Sequence, residues 1–220
     1  MTFSLAGRCA RTGMMGAAIT TSSPAVGARC VYARAGIGVV LTQNRTDPRL
    51  GPRGLALLAD GCSPAETVAA LVASTAHHGW RQLVVLDATG AAAHHSGHNI
   101  HSHHAGVVGK DCVAAGNILS NDGVPGAMVR AFEAAQGLEL PARLLTALEA
   151  GDAAGGEILA LRSAALLIVH REAFAYADLR VDGSDQPIQA LRALWDEYAP
   201  AAEEYVARAL EPEKCGPPTM

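Results

Sequence analysis

An α+β fold of two antiparallel sheets with helices outside them is the architecture this sequence predicts. Three observations lead to it. The elements run strands, two helices, strands, two helices, strands and a helix, an order that neither alternates strictly enough for a parallel βαβ sheet nor lacks helices as a pure β-sandwich does. Half of the 220 residues are hydrophobic and only 17% are charged, which excludes disorder and calls for much buried strand. No repeat, linker or low-complexity block divides the chain, so residues 1–210 are expected to form one domain, followed by a frayed polar tail at 211–220.

Thr2-Phe3-Ser4-Leu5-Ala6 alternates as a half-buried strand should, and the Arg11-Thr12-Gly13 turn feeds a second run, Met14 to Thr20, as a hairpin. Beyond the Ser22-Ser23-Pro24 loop, strands are expected at Arg29 to Tyr32 and at Gly36 to Thr42, the latter stiffened by Ile37, Val39 and Val40. A helix over Gly54 to Leu58 follows Pro52. Ser63-Pro64-Ala65-Glu66 is a capping box with proline at the first helical position, ahead of the periodic run Val68 to Ala76. Gln82 to Asp87 reads as an apolar strand, and Ala91 to His95 can pair back on it across Ala88-Thr89-Gly90. After a histidine-rich loop come a strand at Cys112 to Gly116, helices at Asp122 to Ala135 and Pro141 to Glu149, strands at Ser163 to His170 and Ala177 to Val181, and a closing amphipathic helix from Pro187 to Leu210.

A net charge of −4 and few aromatic residues argue against nucleic acid as a partner. The longest apolar runs, such as Ala164 to Val169, fall far short of a membrane span, and the start of the chain has no basic flank before an apolar signal core. A cytoplasmic location is expected. Cys9, Cys30, Cys62, Cys112 and Cys215 are odd in number and widely spaced, so reduced thiols are expected rather than a disulfide framework or a C-x-x-C site.

Several segments together resemble a bacterial family, domain of unknown function 1028, which is grouped by similarity with the N-terminal-nucleophile (Ntn) hydrolases. They are Thr2-Phe3-Ser4, Ala33-Arg34-Ala35-Gly36-Ile37-Gly38 running into Thr42-Gln43, and Gly51-Pro52-Arg53-Gly54-Leu55-Ala56-Leu57-Leu58 with the downstream Ser63-Pro64. Later come His95-Ser96-Gly97, Gly116-Asn117-Ile118-Leu119, Ser163 to Leu167 and Asp178 to Asp182. The resemblance covers most of the chain and implies a four-layer α-β-β-α sandwich of hydrolase ancestry. His98 to His104 departs from it, because fewer histidines and an aromatic or cysteine position are expected there.

Threonine at position 2 is small enough for aminopeptidase removal of Met1. The exposed α-amine, of ordinary pKa about 7.7 to 8.0, can then act as the base for the Thr2 hydroxyl, so that one residue supplies nucleophile and base. The expected reaction is hydrolysis of a C–N bond in a small amide, cyclic amides included, without a cofactor. Asn117, after a strand and a glycine that admits close backbone approach, is the candidate oxyanion donor. Ser22 and Ser23 are candidates for orienting Thr2, although Ser-Ser-Pro also suits a plain turn. Arg34 and Gln43 flank a strand expected beside the nucleophile strand, where an arginine can clasp a substrate carboxylate or close a structural ion pair.

His94, His95, His98, His101, His103 and His104 fall within eleven positions. Three readings compete for them: an exposed polar loop, a substrate-facing or proton-shuttling role with His95 and His98 as candidates, and a site for a divalent transition metal. The spacing does not match the helical His-Glu-x-x-His of zinc proteases. A metal-dependent hydrolase or metal-binding protein is therefore the first rival, and a noncatalytic binding or assembly protein on the same fold the second. Homo-oligomeric assembly is expected.

Overall fold

The computed structural model describes residues 2–216. β1 (Thr2–Arg8) and β2 (Met15–Thr21) form the predicted hairpin, with Phe3 opposite Thr20 and Arg8 opposite Met15. β3 (Val31–Arg34) pairs with β4 (Gly38–Asn44). α1 (Leu50–Ala59) and α2 (Pro64–Ala73) follow, and the capping box is in place: Ser63 Oγ accepts from the Glu66 backbone N–H while the Glu66 carboxylate accepts from that of Ser63. β5 (Arg81–Asp87) and β6 (Ala92–Ser96) complete a four-stranded sheet in the order β3-β4-β5-β6.

β7 (His104–Gly109) and β8 (Cys112–Asn117) form the next hairpin, and α3 (Val124–Ala134) and α4 (Leu140–Ala153) come after it. β9 (Ser163–Val169) and β10 (Ala177–Val181) then complete a six-stranded sheet, β10-β9-β2-β1-β8-β7. All pairings in both sheets are antiparallel. The first strand of the chain thus lies inside the larger sheet, with β2 on one side and β8 on the other.

Strand alternation divides the core. Phe3 and Leu5 join Met128 and Phe132 of α3 and Leu144 and Leu148 of α4 on the helix side of the six-stranded sheet. Removing the Phe3 ring would cost about 3–5 kcal/mol. On the other face Ala6, Ala17 and Ile19 meet Val39 and Leu41 of β4 and Val84 and Leu86 of β5, which makes a second apolar core between the sheets. Val40, Leu58, Val68 and Val85 tie α1 and α2 to the outer face of the smaller sheet. In α1, a Cβ at Gly51 would run into the Tyr32 ring, so this helix lies on β3 only because that position is glycine.

The structure departs from the expected elements in two places. The stretch taken as the end of a histidine loop is strand β7, an edge strand whose two glycines and half-buried residues hide the usual alternation. The single closing helix is broken: α5 (Pro187–Tyr198) and α6 (Ala202–Leu210) are separated by a 3-10 turn, Ala199–Ala201. Pro200 lies in that turn, where its missing N–H and its ring do not fit a helix interior. Of the tail, residues 211–216 include a 3-10 turn at Pro212–Lys214, and 217–220 lie outside the described residues. All five cysteines are free thiols. Among the described residues no helix is long and apolar enough to cross a membrane.

Candidate functional site

At the Thr2 end of β1 the core between the sheets turns polar. Thr2 and Ser4 share the face of Ala6, and four further polar side chains meet them there, three from the facing β4, β5 and β6 and one from the neighbouring β8. Ser4 Oγ donates to Gln43 Oε1 at 2.9 Å, and Gln43 Nε2 donates to Gln82 Oε1 at 2.7 Å. That same oxygen accepts from Asn117 Nδ2 at 2.9 Å, while Gln82 Nε2 donates to Ser96 Oγ and to the Gly116 carbonyl, both at 2.9 Å. Ser4, Gln43, Gln82 and Asn117 are fully buried. The Gly116 carbonyl fixes which end of the Gln82 amide is nitrogen, and Gln82 in turn fixes Asn117. Buried polar groups demand partners of this kind, and a connected network holds one geometry.

Asn117 lies directly across the strand pair from Thr2, so their side chains share a face. The Asn117 amide nitrogen is taken by Gln82, whereas its Oδ1 is buried and has no partner among the described residues. As placed, Asn117 presents an acceptor near Thr2 rather than the oxyanion donor expected from sequence. Ile118, the next residue, has φ 53°, a conformation rare for a β-branched side chain.

Thr2 is 4% exposed, and its hydroxyl donates to Thr21 Oγ1 at 3.4 Å. Thr21 Oγ1 lies 3.5 Å from Ser23 Oγ, which accepts from Arg29 Nη2 at 2.6 Å. Arg29 also donates to the carbonyls of Pro24 and Ala25, so one guanidinium ties down the loop after β2, where Ala25 has φ 56°. A cleft of about 430 Å³ opens here, lined by Thr2, Ser23, Arg29, Cys30, Asn44, Arg45, Thr46 and Arg81. Asn44, which lines the cleft, is also in the left-handed region, with φ 65°. Strain of this sort costs about 1–3 kcal/mol per residue and gathers at functional sites.

Three guanidinium groups give the cleft a positive wall. Arg81 approaches Asp47 at 3.9 Å and donates to the Arg45 carbonyl, but its buried Nε has no partner among the described residues. The Asp47 carboxyl is held below the ordinary carboxylate range chiefly by Arg49. Arg45 stacks over Trp80 at 5.4 Å. Behind the Ser22–Ser23 loop, Glu157 Oε2 accepts from the Ser22 backbone N–H at 3.2 Å while the buried Oε1 has no partner among the described residues. Burial pushes the Glu157 carboxyl up to about 7, against the opposing pull of the Ser22 hydrogen bond.

Of the residues singled out from sequence, Thr2 and Ser23 line the cleft. Ser22 anchors its loop through Glu157, and Gln43 and Asn117 belong to the buried network beneath it rather than to the surface a substrate could touch. Arg34 is exposed and pairs with Gly38, at the opposite end of β4 from the cleft residue Asn44 and about 20 Å away at strand rise. It is not brought to the site; Arg29, Arg45 and Arg81 are. Met1 lies outside the described residues.

His95 and His98 do not line this cleft. Both rings lie around His78, with centroids 6.3 and 5.8 Å away, in tilted and edge-on contacts. Burial pushes His94 and His95 below the ordinary histidine range, and the neighbouring histidine charges act in the same direction on both. Among the described residues no three His, Cys, Asp or Glu side chains are arranged to hold a metal ion. Through His101, edge-on to Trp80 at 6.2 Å, the histidine segment reaches the ring beneath Arg45, and its Gly97 N–H donates to the Arg81 carbonyl at 2.9 Å.

Besides the three cleft arginines, Gln82 and Glu157 are site residues that the sequence did not single out. A signal existed for Gln82, which sits two places before Val84 on the inward face of an otherwise apolar strand. Glu157 follows a glycine-rich turn and carries no periodic signal.

The fold and this site define an α+β protein whose first strand delivers a threonine to a cationic cleft beside two antiparallel sheets. The model of the family of unknown function DUF1028 matches residues 2–191, and the chain belongs to that family. The crystal structure of a Silicibacter pomeroyi protein carrying the same family model superposes with a TM-score of 0.83 at 32% identity, covering 90% of this chain and 88% of that one. Anbu (ancestral beta-subunit) from Yersinia bercovieri is a looser likeness, with a TM-score of 0.43 and 11% identity over 99% of this chain and 100% of that chain. No curated protein matches the chain.

Proposed function

We propose that the protein is an Ntn-type hydrolase, a four-layer α-β-β-α sandwich that cleaves the C–N bond of a small amide bearing an anionic group. The observation that carries this reading is the position of Thr2: a hydroxyl at the start of an inner strand, on the face between the sheets, lining a cleft with three arginines. Once Met1 is removed, the Thr2 amine takes the proton from Oγ1 as that oxygen bonds to the amide carbon. The positive potential of the cleft stabilises the oxyanion. Collapse expels the leaving amine, which takes the proton from the Thr2 ammonium, and water then attacks the ester and restores the hydroxyl. Asn117 Oδ1 orients the amine by accepting one of its protons, and the Thr21–Ser23–Arg29 chain holds the hydroxyl side. Arg45 and Arg81 hold the substrate anion, an affinity suited to a carboxylate.

The test pairs two measurements. Intact mass of protein from the native host should lack Met1, since its retention removes the amine base. Wild type and Thr2→Ala are then screened in parallel on carboxylate-bearing amides and lactams, with turnover expected to fall by at least about 10³-fold in the variant. Turnover that survives Thr2→Ala rules out this mechanism.

A further inference from the structure

The opposite end of β1 carries a second cleft, of about 220 Å³, whose lining includes Arg8, Cys9, Arg11, Lys110, Asp111 and Arg143. It is built where the tips of the β1–β2 and β7–β8 hairpins meet α3 and α4. Its most buried charged member is Arg143, only 6% exposed. The guanidinium lies 3.9 Å over the Phe132 ring and donates to the Phe132 carbonyl in the last turn of α3, at 3.1 Å from Nη2. Among the described residues no carboxylate comes within 4.0 Å of it.

Buried charges are ordinarily paired, because desolvation without a counter-ion is unfavourable. A helix-end carbonyl and a ring face supply only part of that compensation. Around Arg143 the chain adds more positive charge. Asp111, at φ 57°, is committed to Arg8 at 2.8 Å, and Glu133 accepts from the Lys110 backbone N–H at 2.8 Å. Arg11, Lys110 and Arg143 have no salt-bridge partner among the described residues, although the protein as a whole carries a net charge of −4. The field is felt by the Cys9 thiol. Burial raises it, but hydrogen bonds from Thr12 and Arg11 together with the Arg11 charge bring it below its ordinary value.

We infer that this cleft binds a phosphate group, with Arg143 as its buried anchor and Arg11 and Lys110 closing over the exposed oxygens. Three cations converging on one small cavity suit a multiply charged tetrahedral oxyanion better than a single carboxylate. The group is either free phosphate or the head of a small monoester, and the site is separate from the Thr2 cleft.

Thermal unfolding and calorimetry of the full chain, with inorganic phosphate or methyl phosphate against sodium chloride at matched ionic strength, test the inference. Saturating phosphate at ten times its Kd should raise the midpoint by about 4 °C over chloride. Tighter binding of methyl phosphate assigns a monoester, and the reverse order the free ion. Arg143→Met should abolish the rise. Should that variant fail to fold, Arg11→Ser with Lys110→Ser, both at the hairpin tips, should weaken binding by about tenfold. No rise over chloride, or a rise unchanged in the double variant, overturns the site.

Discussion

The two ends of β1, about 20 Å apart at strand rise, handle buried polarity in opposite ways. At the Thr2 end, neutral amide side chains from three strands satisfy one another around Gln82, and the loose ends among the described residues are single oxygens on Asn117 and Glu157 and the Arg81 Nε. At the Arg8 end, a buried guanidinium is left with a carbonyl and a ring for company. A satisfied network pre-positions a reactive group, whereas an uncompensated charge keeps a place for a ligand. The difference marks the first end as a site of chemistry and the second as a site of binding.

The sharpest way to break that contrast is Gln82→Leu. It removes the shared acceptor of Gln43 and Asn117 and the donor to Ser96 and Gly116, leaving several buried groups unpaired. The expected loss is about 3 kcal/mol, read from urea unfolding, and Thr2→Ala in the same assay should lose less than about 1 kcal/mol. A Gln82→Leu loss as small as that of Thr2→Ala would mean the amides are not what holds this end.

Glu157→Gln comes next in size. The folded-state carboxyl is raised to about 7, while in the unfolded chain it titrates near 4.3. Below the unfolded value both states are protonated and the group is neutral to stability. Between the two values only the folded state keeps the proton, so stability falls as pH rises and levels off above about 7. The wild type should lose about 2 kcal/mol between pH 4.5 and 8, after allowance for partial solvent screening, and Glu157→Gln should flatten that slope. A wild-type slope of the opposite sign would place the carboxylate among favourable partners.

How much of this was legible follows from which residues announce themselves. The strands and helices did, through alternation, the Ser63 capping box and the turn residues, and Thr2 did through its place at the start of a strand. The cleft arginines did not. Arg34 stood out because a resembling motif contains it, but strand register carries it to the far end of β4. Arg29, Arg45 and Arg81 come from a loop, a strand end and a strand start that approach only through the pairing of β4 with β5 and the packing of the two sheets. The histidines stand out by composition, yet three-dimensional placement gathers only His95 and His98, around His78, a residue outside the cluster.

Arg143→Met sharpens the comparison through its sign. Ordinary truncations in a packed core cost about 2–5 kcal/mol. Exchanging a buried, uncompensated cation for an apolar side chain of similar reach should instead leave stability unchanged or raise it by about 1 kcal/mol in phosphate-free buffer. A clear destabilisation there would show that the Phe132 contacts already satisfy the charge, and the second end of β1 would then resemble the first.

The smallest effect on stability is expected at two exposed arginines, which substrate binding separates. Arg34 and Arg45 are both exposed at the ends of the β3–β4 ribbon, and replacing either by alanine should change stability by less than about 0.5 kcal/mol. Only Arg45 lines the Thr2 cleft. On a carboxylate-bearing amide, Arg45→Ala should raise KM by about tenfold, the loss of one charge-assisted contact worth roughly 1.4 kcal/mol, and Arg34→Ala should leave it unchanged. On a neutral amide the two variants should be indistinguishable, because the contact that Arg45 supplies has nothing to meet. Equal effects of the two arginines on the charged substrate would show that the field of the whole surface, rather than the geometry of the cleft, selects the anion.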